Sequence, residues 1–143
     1  MFVTAVFGKL NIKTGELIFI NAGHESILTF DQDKNYEYIK SEMPPIGIIK
    51  YFTESMIKSS SINIKDKTFI VYTDGVTEGY LKDGKELGAE GVQKIINNIS
   101  EITPKTIVES IEKELNWGAE KLRDDITCMA INIKNTELIK KIK

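Results

Sequence analysis

The run Lys67-Thr68-Phe69-Ile70-Val71-Tyr72-Thr73-Asp74-Gly75 is almost continuously apolar or β-branched and then stops on an acid followed by glycine. An uninterrupted apolar stretch of this length marks a strand buried on both faces, so Lys67 to Thr73 is predicted to lie in the middle of a sheet. A charge at the end of such a strand is costly unless it is solvated, paired or bound to metal. Two readings of Asp74 follow. Asp-Gly is a common turn after a strand. An acid fixed by a sheet beside a glycine also suits a hard cation, because glycine lets backbone and ligand approach closely. The continuation Gly75-Val76-Thr77-Glu78 does not read as a simple hairpin, which weakens the turn reading.

Upstream of this strand the pattern is β throughout. Phe2 to Leu10 and Glu16 to Ile20 read as two strands joined by the turn residues Lys13-Thr14-Gly15. Ser26 to Phe30 and Tyr36 to Lys40 read as a second hairpin around the polar stretch Asp31 to Asn35. Met43-Pro44-Pro45-Ile46-Gly47 is a loop, since two prolines remove donors and force the chain extended. Ser55 to Ile64 is expected to be a strand. Downstream of Gly79 the period changes. Leu87 to Ile99 carries Val92, Ile95, Ile96 and Ile99 at helical spacing. A second helix opens with Thr103 as cap and Pro104 at its first position, carries Ile107, Val108, Ile111 and Leu115 on one stripe, and is expected to end near Trp117-Gly118. Ile126 to Ile133 returns as a last strand. Strands, two helices and a closing strand describe an α+β layered domain.

The chain has 143 residues, 41% of them hydrophobic and 28% charged, with a formal net charge of −2. That balance argues against a general nucleic-acid or membrane-surface binder. The single cysteine, Cys128, excludes an internal disulfide framework and fits a reducing compartment. No apolar run approaches the ~20 residues of a membrane span. The first residues read as a strand without a basic leader, so a cytoplasmic location is expected.

A second acidic motif, Arg123-Asp124-Asp125-Ile126-Thr127, precedes the last strand. In an extended segment adjacent side chains point to opposite faces, so at most one of Asp124 and Asp125 would face a given ion. A solvated acidic pair at a strand entrance is the simpler reading of that motif alone. His24, the only histidine, follows Asn21-Ala22-Gly23 where a strand runs out. It reads as a hydrogen-bonded structural residue, or as a general acid or phosphate ligand if metal lies beside it. Glu78, Glu86 and Glu90 read as surface acids near a helix start, where the dipole suits them.

Taken in order, Met1-Phe2-Val3-Thr4, Thr14-Gly15-Glu16-Leu17, Asn21-Ala22-Gly23-His24, Pro45-Ile46-Gly47, Tyr72-Thr73-Asp74-Gly75-Val76-Thr77-Glu78, Leu87-Gly88 and Asp124-Asp125-Ile126-Thr127 resemble the PPM-type, metal-dependent protein serine/threonine phosphatases of the bacterial sporulation stage II protein E type. The resemblance runs from Met1 to Ile133. It implies a β-sandwich of two antiparallel sheets flanked by helices, with two manganese or magnesium ions at one end. It also implies direct attack of a metal-activated water on a phosphoserine or phosphothreonine of a regulatory protein such as an anti-sigma-factor antagonist. Carried onto this sequence, Asp74 and Asp124 would be metal ligands. Asn21, Gly23, His24, Gly75 and Asp125 would line the site.

One part of the family's pattern has no counterpart. An acid that bridges both ions normally sits in an earlier Asp-x-x-Gly-x-Gly motif, and this sequence contains none. The expectation is therefore a C-terminal part of the phosphatase domain over residues 1–135, with a tail over 136–143. Such a chain would hold at most one ion, weakly, and turn over little or nothing. A non-catalytic, partner-binding module is the alternative. Sheet edges left open would favour a homo-oligomer.

Overall fold

The computed structural model describes residues 1–115 and 125–133. Its first hairpin comprises β1 (Ala5–Leu10) and β2 (Glu16–Ala22). The connecting turn is held by Asn11, whose side-chain oxygen accepts from the N–H groups of Lys13 and Thr14. The second hairpin is β3 (Ile27–Asp31) and β4 (Tyr36–Ile39). There the Asp31 carboxylate accepts from both the side chain and the backbone of Asn35, and the side-chain bond holds its carboxyl below the usual range. Then come β5 (Ser60–Asn63), β6 (Lys67–Tyr72) and, after the helices, β7 (Cys128–Ile131).

The strands make two sheets, ordered β1-β2-β5 and β4-β3-β6-β7, and every pairing is antiparallel. The α+β class with two antiparallel sheets is therefore what the structure shows. The strand expected from Ser55 to Ile64 is shorter than its pattern suggested: Glu54–Met56 forms a 3-10 turn and only Ser60–Asn63 pairs. Of Met56, Ile62 and Ile64, the apolar residues that made the segment look strand-like, Met56 is exposed and belongs to the 3-10 turn.

β6 explains the layering. Phe69 and Val71 point toward the first sheet and pack with Leu17, Phe19 and Ile27, with Phe19 and Phe69 meeting edge to face at 5.2 Å. Ile70 and Tyr72 point the other way, into a core completed by the helices. Those are α1 (Asp74–Thr77), α2 (Gly88–Asn97) and α3 (Pro104–Glu114). Val92 and Ile96 of α2 and Ile107 and Ile111 of α3 are buried against the four-stranded sheet. Thr103 caps α3 as expected: its hydroxyl accepts from Thr106 N–H while the Thr106 hydroxyl accepts from Thr103 N–H, with Pro104 opening the helix. Helix α3 closes at Leu115, and the expected end near Trp117-Gly118 lies outside the described residues.

The outer face of the three-stranded sheet is different. Phe7 and Ile20, cross-strand neighbours on that face, line an apolar groove of about 350 Å³ with Met43, Ile46, Phe52 and Ile57. Phe7 is 55% exposed and nearby Tyr51 is 77% exposed.

Candidate functional site

Antiparallel register brings the C-terminal end of β6 level with the start of β3 and the start of β7. Ile70 pairs with Leu28 and Tyr72 with Cys128. The strand that leads to Asp74 and the described part of the second motif, Asp125 to Thr127, thus meet at one end of the sandwich. Asp74, two residues past Tyr72, does not enter a hairpin. It opens α1, a single helical turn, and its backbone carbonyl accepts from the Thr77 hydroxyl and the Glu78 N–H.

Asp74 is exposed, and its Oδ1 accepts from Gly75 N–H at 2.9 Å. Neither ion pair found among the described residues, Lys85–Asp83 and Lys105–Glu109, involves it. Gly75 is buried. An exposed carboxylate at a strand end, without an ion pair among the described residues, has oxygen lone pairs to offer a hard cation, so its chemistry fits the role of one ligand.

Asp125 lies alongside. Thr73 N–H donates to Thr127 O at 3.0 Å, extending the β6–β7 ladder by one step. The Thr73 hydroxyl donates to Asp125 O at 2.9 Å and accepts from Thr127 N–H at 3.0 Å. Asp124, the other expected ligand, lies outside the described residues. Among the described residues there is no grouping of three or more His, Cys, Asp or Glu side chains able to hold an ion. Among the described residues Asp74 is thus a carboxylate at the end of β6 with the Asp125 segment tied beside it.

Asn21, Gly23 and His24 form the turn by which the chain passes from the first sheet to the second. Buried Asn21 uses its whole amide: its oxygen accepts from His24 N–H at 2.9 Å and its nitrogen donates to Glu25 O at 3.0 Å. Gly23 sits at φ +67° and its N–H donates to the Ser41 hydroxyl at 2.8 Å. That hydroxyl lies 2.8 Å from the carbonyls of both Asn21 and Met43. His24 Nδ1 is 3.2 Å from the Thr4 hydroxyl. Cys128 opens β7 within the same end, and burial pushes its thiol up to about 11, so it stays protonated at neutral pH. Burial likewise raises the Tyr72 hydroxyl above the ordinary range.

Thr73 is the residue that sequence reasoning missed. Its partners lie 52 and 54 residues further along the chain. The local signal for it is weak, a β-branched hydroxyl ahead of Asp-Gly.

This arrangement of sheets and helices is that of PP2C-type phosphatase domains. It superposes on the manganese-presoaked phosphatase domain of the cell fate determinant SpoIIE from Bacillus subtilis with a TM-score of 0.67 at 19% identity, covering 98% of this chain and 60% of that one. The chain belongs to the Stage II sporulation protein E (SpoIIE) family, whose model it matches over residues 1–134. Protein IcfG of Synechocystis is 29% identical over 135 residues, covering 92% of this chain and 20% of that protein. Phosphoserine phosphatase RsbP of Bacillus subtilis is 30% identical over 78 residues, covering 54% and 19%. The chain thus spans about a fifth of the length of the curated relatives it matches.

Proposed function

We propose that this chain is part of a metal-dependent protein serine/threonine phosphatase domain, over residues 1–135, that acts on a phosphorylated regulatory protein such as an anti-sigma-factor antagonist. The observation that carries the reading is Asp74: an exposed carboxylate at the end of a buried strand, with the Asp125 segment bonded beside it, in a member of the SpoIIE family. Asp74 and Asp124 would hold manganese or magnesium. Asn21, Gly23, His24, Gly75 and Asp125 would line the site, and His24, if beside the metal, would hold phosphate or move a proton. The metal, when bound, supplies positive charge against the phosphate oxygens. The protein's task is to fix that charge and the phosphoester in register. A cytoplasmic location belongs to this reading.

A second form of the reading keeps the family but has this chain engage its partner without turnover. Calorimetric titration with manganese separates the two. One weakly bound ion per chain is expected. No heat even at millimolar manganese turns the assignment to the non-catalytic module.

Self-association is the further expectation. β1 and β5 border one sheet, β4 and β7 the other, and those edges invite strand pairing. Sedimentation of the chain is expected to show a dimer or larger species at micromolar concentration, and a clean monomer would remove the idea.

A further inference from the structure

We infer that a pocket one helical turn from Asp74, lined by Glu25, Ser26, Tyr38, Lys40, Tyr72 and Thr77, holds an extended stretch of the partner polypeptide by its backbone, with the Tyr72 hydroxyl donating to a peptide carbonyl. That this stretch flanks the phosphorylated residue rests on the function proposed for Asp74.

The register of the four-stranded sheet builds the pocket. Leu28 lies opposite both Tyr38 and Ile70. Two residues further toward that end, Ser26 falls between Lys40 and Tyr72, with neighbouring strands ~4.8 Å apart. Period-two alternation puts this row on the face of Leu28 and Ile70, the one that the helices cover. The row borders a cavity of about 420 Å³, closed at the side by Thr77 of α1 and Ala89 of α2. The Thr77 hydroxyl donates to Asp74 O at 3.0 Å. Three residues of helix, ~4.5 Å of rise, therefore separate the pocket wall from the candidate metal ligand.

Tyr72 indicates what enters. Its side chain is 3% exposed, and its hydroxyl makes no hydrogen bond among the described residues. No fully buried side-chain oxygen or nitrogen among those residues lacks a partner. The hydroxyl therefore reaches water, and the opening that Tyr72 lines is this pocket. Burial, with Tyr38 and Glu25 nearby, keeps it protonated well above neutral pH, so it has a proton to donate. Phenylalanine would fill the same core space without leaving a donor unpaired. Tyr38 is already committed, its hydroxyl donating to Ala89 O at 3.0 Å. At the mouth, Glu25 and Lys40 are exposed, and neither belongs to an ion pair found among the described residues. One acid and one base suit a neutral ligand that both donates and accepts, as a peptide group does. A lone anion would be repelled by Glu25, and a lone cation by Lys40.

The test follows the amide resonances of wild type and Tyr72→Phe, without metal, as N-acetyl-Gly-Gly-Ser-Gly-Gly-amide or sodium acetate is added. The peptide is expected to shift the amides of Ser26, Lys40, Tyr72 and Thr77 in the wild type. It is expected to bind Tyr72→Phe about fivefold more weakly, the loss of one neutral hydrogen bond. The urea midpoint of that variant should stay level or rise, since an unpaired hydroxyl has gone, which separates lost binding from lost folding. Absence of those shifts at tens of millimolar peptide overturns the inference, as does equal affinity in Tyr72→Phe. Acetate shifting the same amides more strongly than the peptide makes the pocket an anion site and overturns it too. The metal reading is checked separately. With manganese present, the same peptide phosphorylated on its serine is expected to bind at least about tenfold more tightly than the unphosphorylated one. No gain from the phosphate removes the reading of Asp74 and the flanking role with it, while the unphosphorylated peptide still reports on the pocket.

Discussion

Asp74→Asn is expected to abolish measurable manganese binding while leaving the chain as stable as before. The two halves of that statement come from different features of one side chain. Asp74 is exposed and its carboxylate accepts one hydrogen bond, from the N–H of the residue that follows it. Asparagine keeps an oxygen able to accept that bond, and the helical turn it opens is held by backbone and by Thr77, not by the carboxylate. Surface changes of this kind stay within about 0.5 kcal/mol. Metal binding is another matter. Hard-cation affinity follows the number and charge of the oxygen ligands, and Asp74 is the carboxylate that directly follows β6. Removing its charge is expected to cost more than the 10–100-fold typical of supporting residues. Calorimetry and urea unfolding on the same preparation check both halves. Wild-type manganese heats in Asp74→Asn would show that the ion sits elsewhere and that Asp74 is a turn residue. A destabilised variant would show that the carboxylate has a structural role that its single hydrogen bond does not explain.

The strands could be read from the sequence where burial imposes a period. β6 was legible because both of its faces are buried: Phe69 and Val71 serve one core and Ile70 and Tyr72 the other, which leaves no polar face to break the run. The two hairpins were legible through their turn chemistry, and α3 through the Thr103-Pro104 start. Ser55 to Ile64 misled because hydropathy does not distinguish an apolar residue facing the core from one left exposed, and Met56 is of the second kind. Helix α1 is four residues long, shorter than any period can register.

The candidate site divides in the same way. Asp74 was visible because it ends a legible strand. The connection to Asp125 was not, because it depends on a hydroxyl whose partners are remote in sequence and meet it only once β6 and β7 pair. Asn21 and Gly23 were visible as a motif, but the sequence does not reveal that both sustain a turn between sheets: Asn21 through its two amide bonds, Gly23 through its backbone conformation and the Ser41 hydroxyl.

That turn supplies the largest expected loss of stability. Gly23→Ala is expected to destabilise the chain by about 3 kcal/mol or more, from two separable costs. Gly23 has φ +67°, a conformation that costs an L-residue about 1–2 kcal/mol. A Cβ there would also lie 2.4 Å from Pro45 Cγ and 2.5 Å from Pro45 N. Pro45 is a poor residue to displace, since its ring cannot rotate away and its backbone nitrogen is among the atoms struck. Forcing extra volume into such a contact costs about 1–3 kcal/mol. The loop cannot retreat freely either, because Met43 O and Gly23 N–H both meet the Ser41 hydroxyl and Ile46 pairs with Val3. Gly84→Ala isolates the first cost. Gly84 has φ +81°, but a Cβ there would meet nothing within 4 Å, so a loss of only about 1–2 kcal/mol is expected. Urea unfolding of the two variants side by side measures the conformational term directly and the collision with Pro45 by difference. If both lose the same amount, Pro45 yields without cost and the Asn21–His24 turn is not braced by the proline loop. If Gly23→Ala loses several kcal/mol more, the two motifs, Asn-Ala-Gly-His and Pro-Pro-Ile-Gly, are one structural unit, and their joint presence in the sequence follows from a single contact between Gly23 and Pro45.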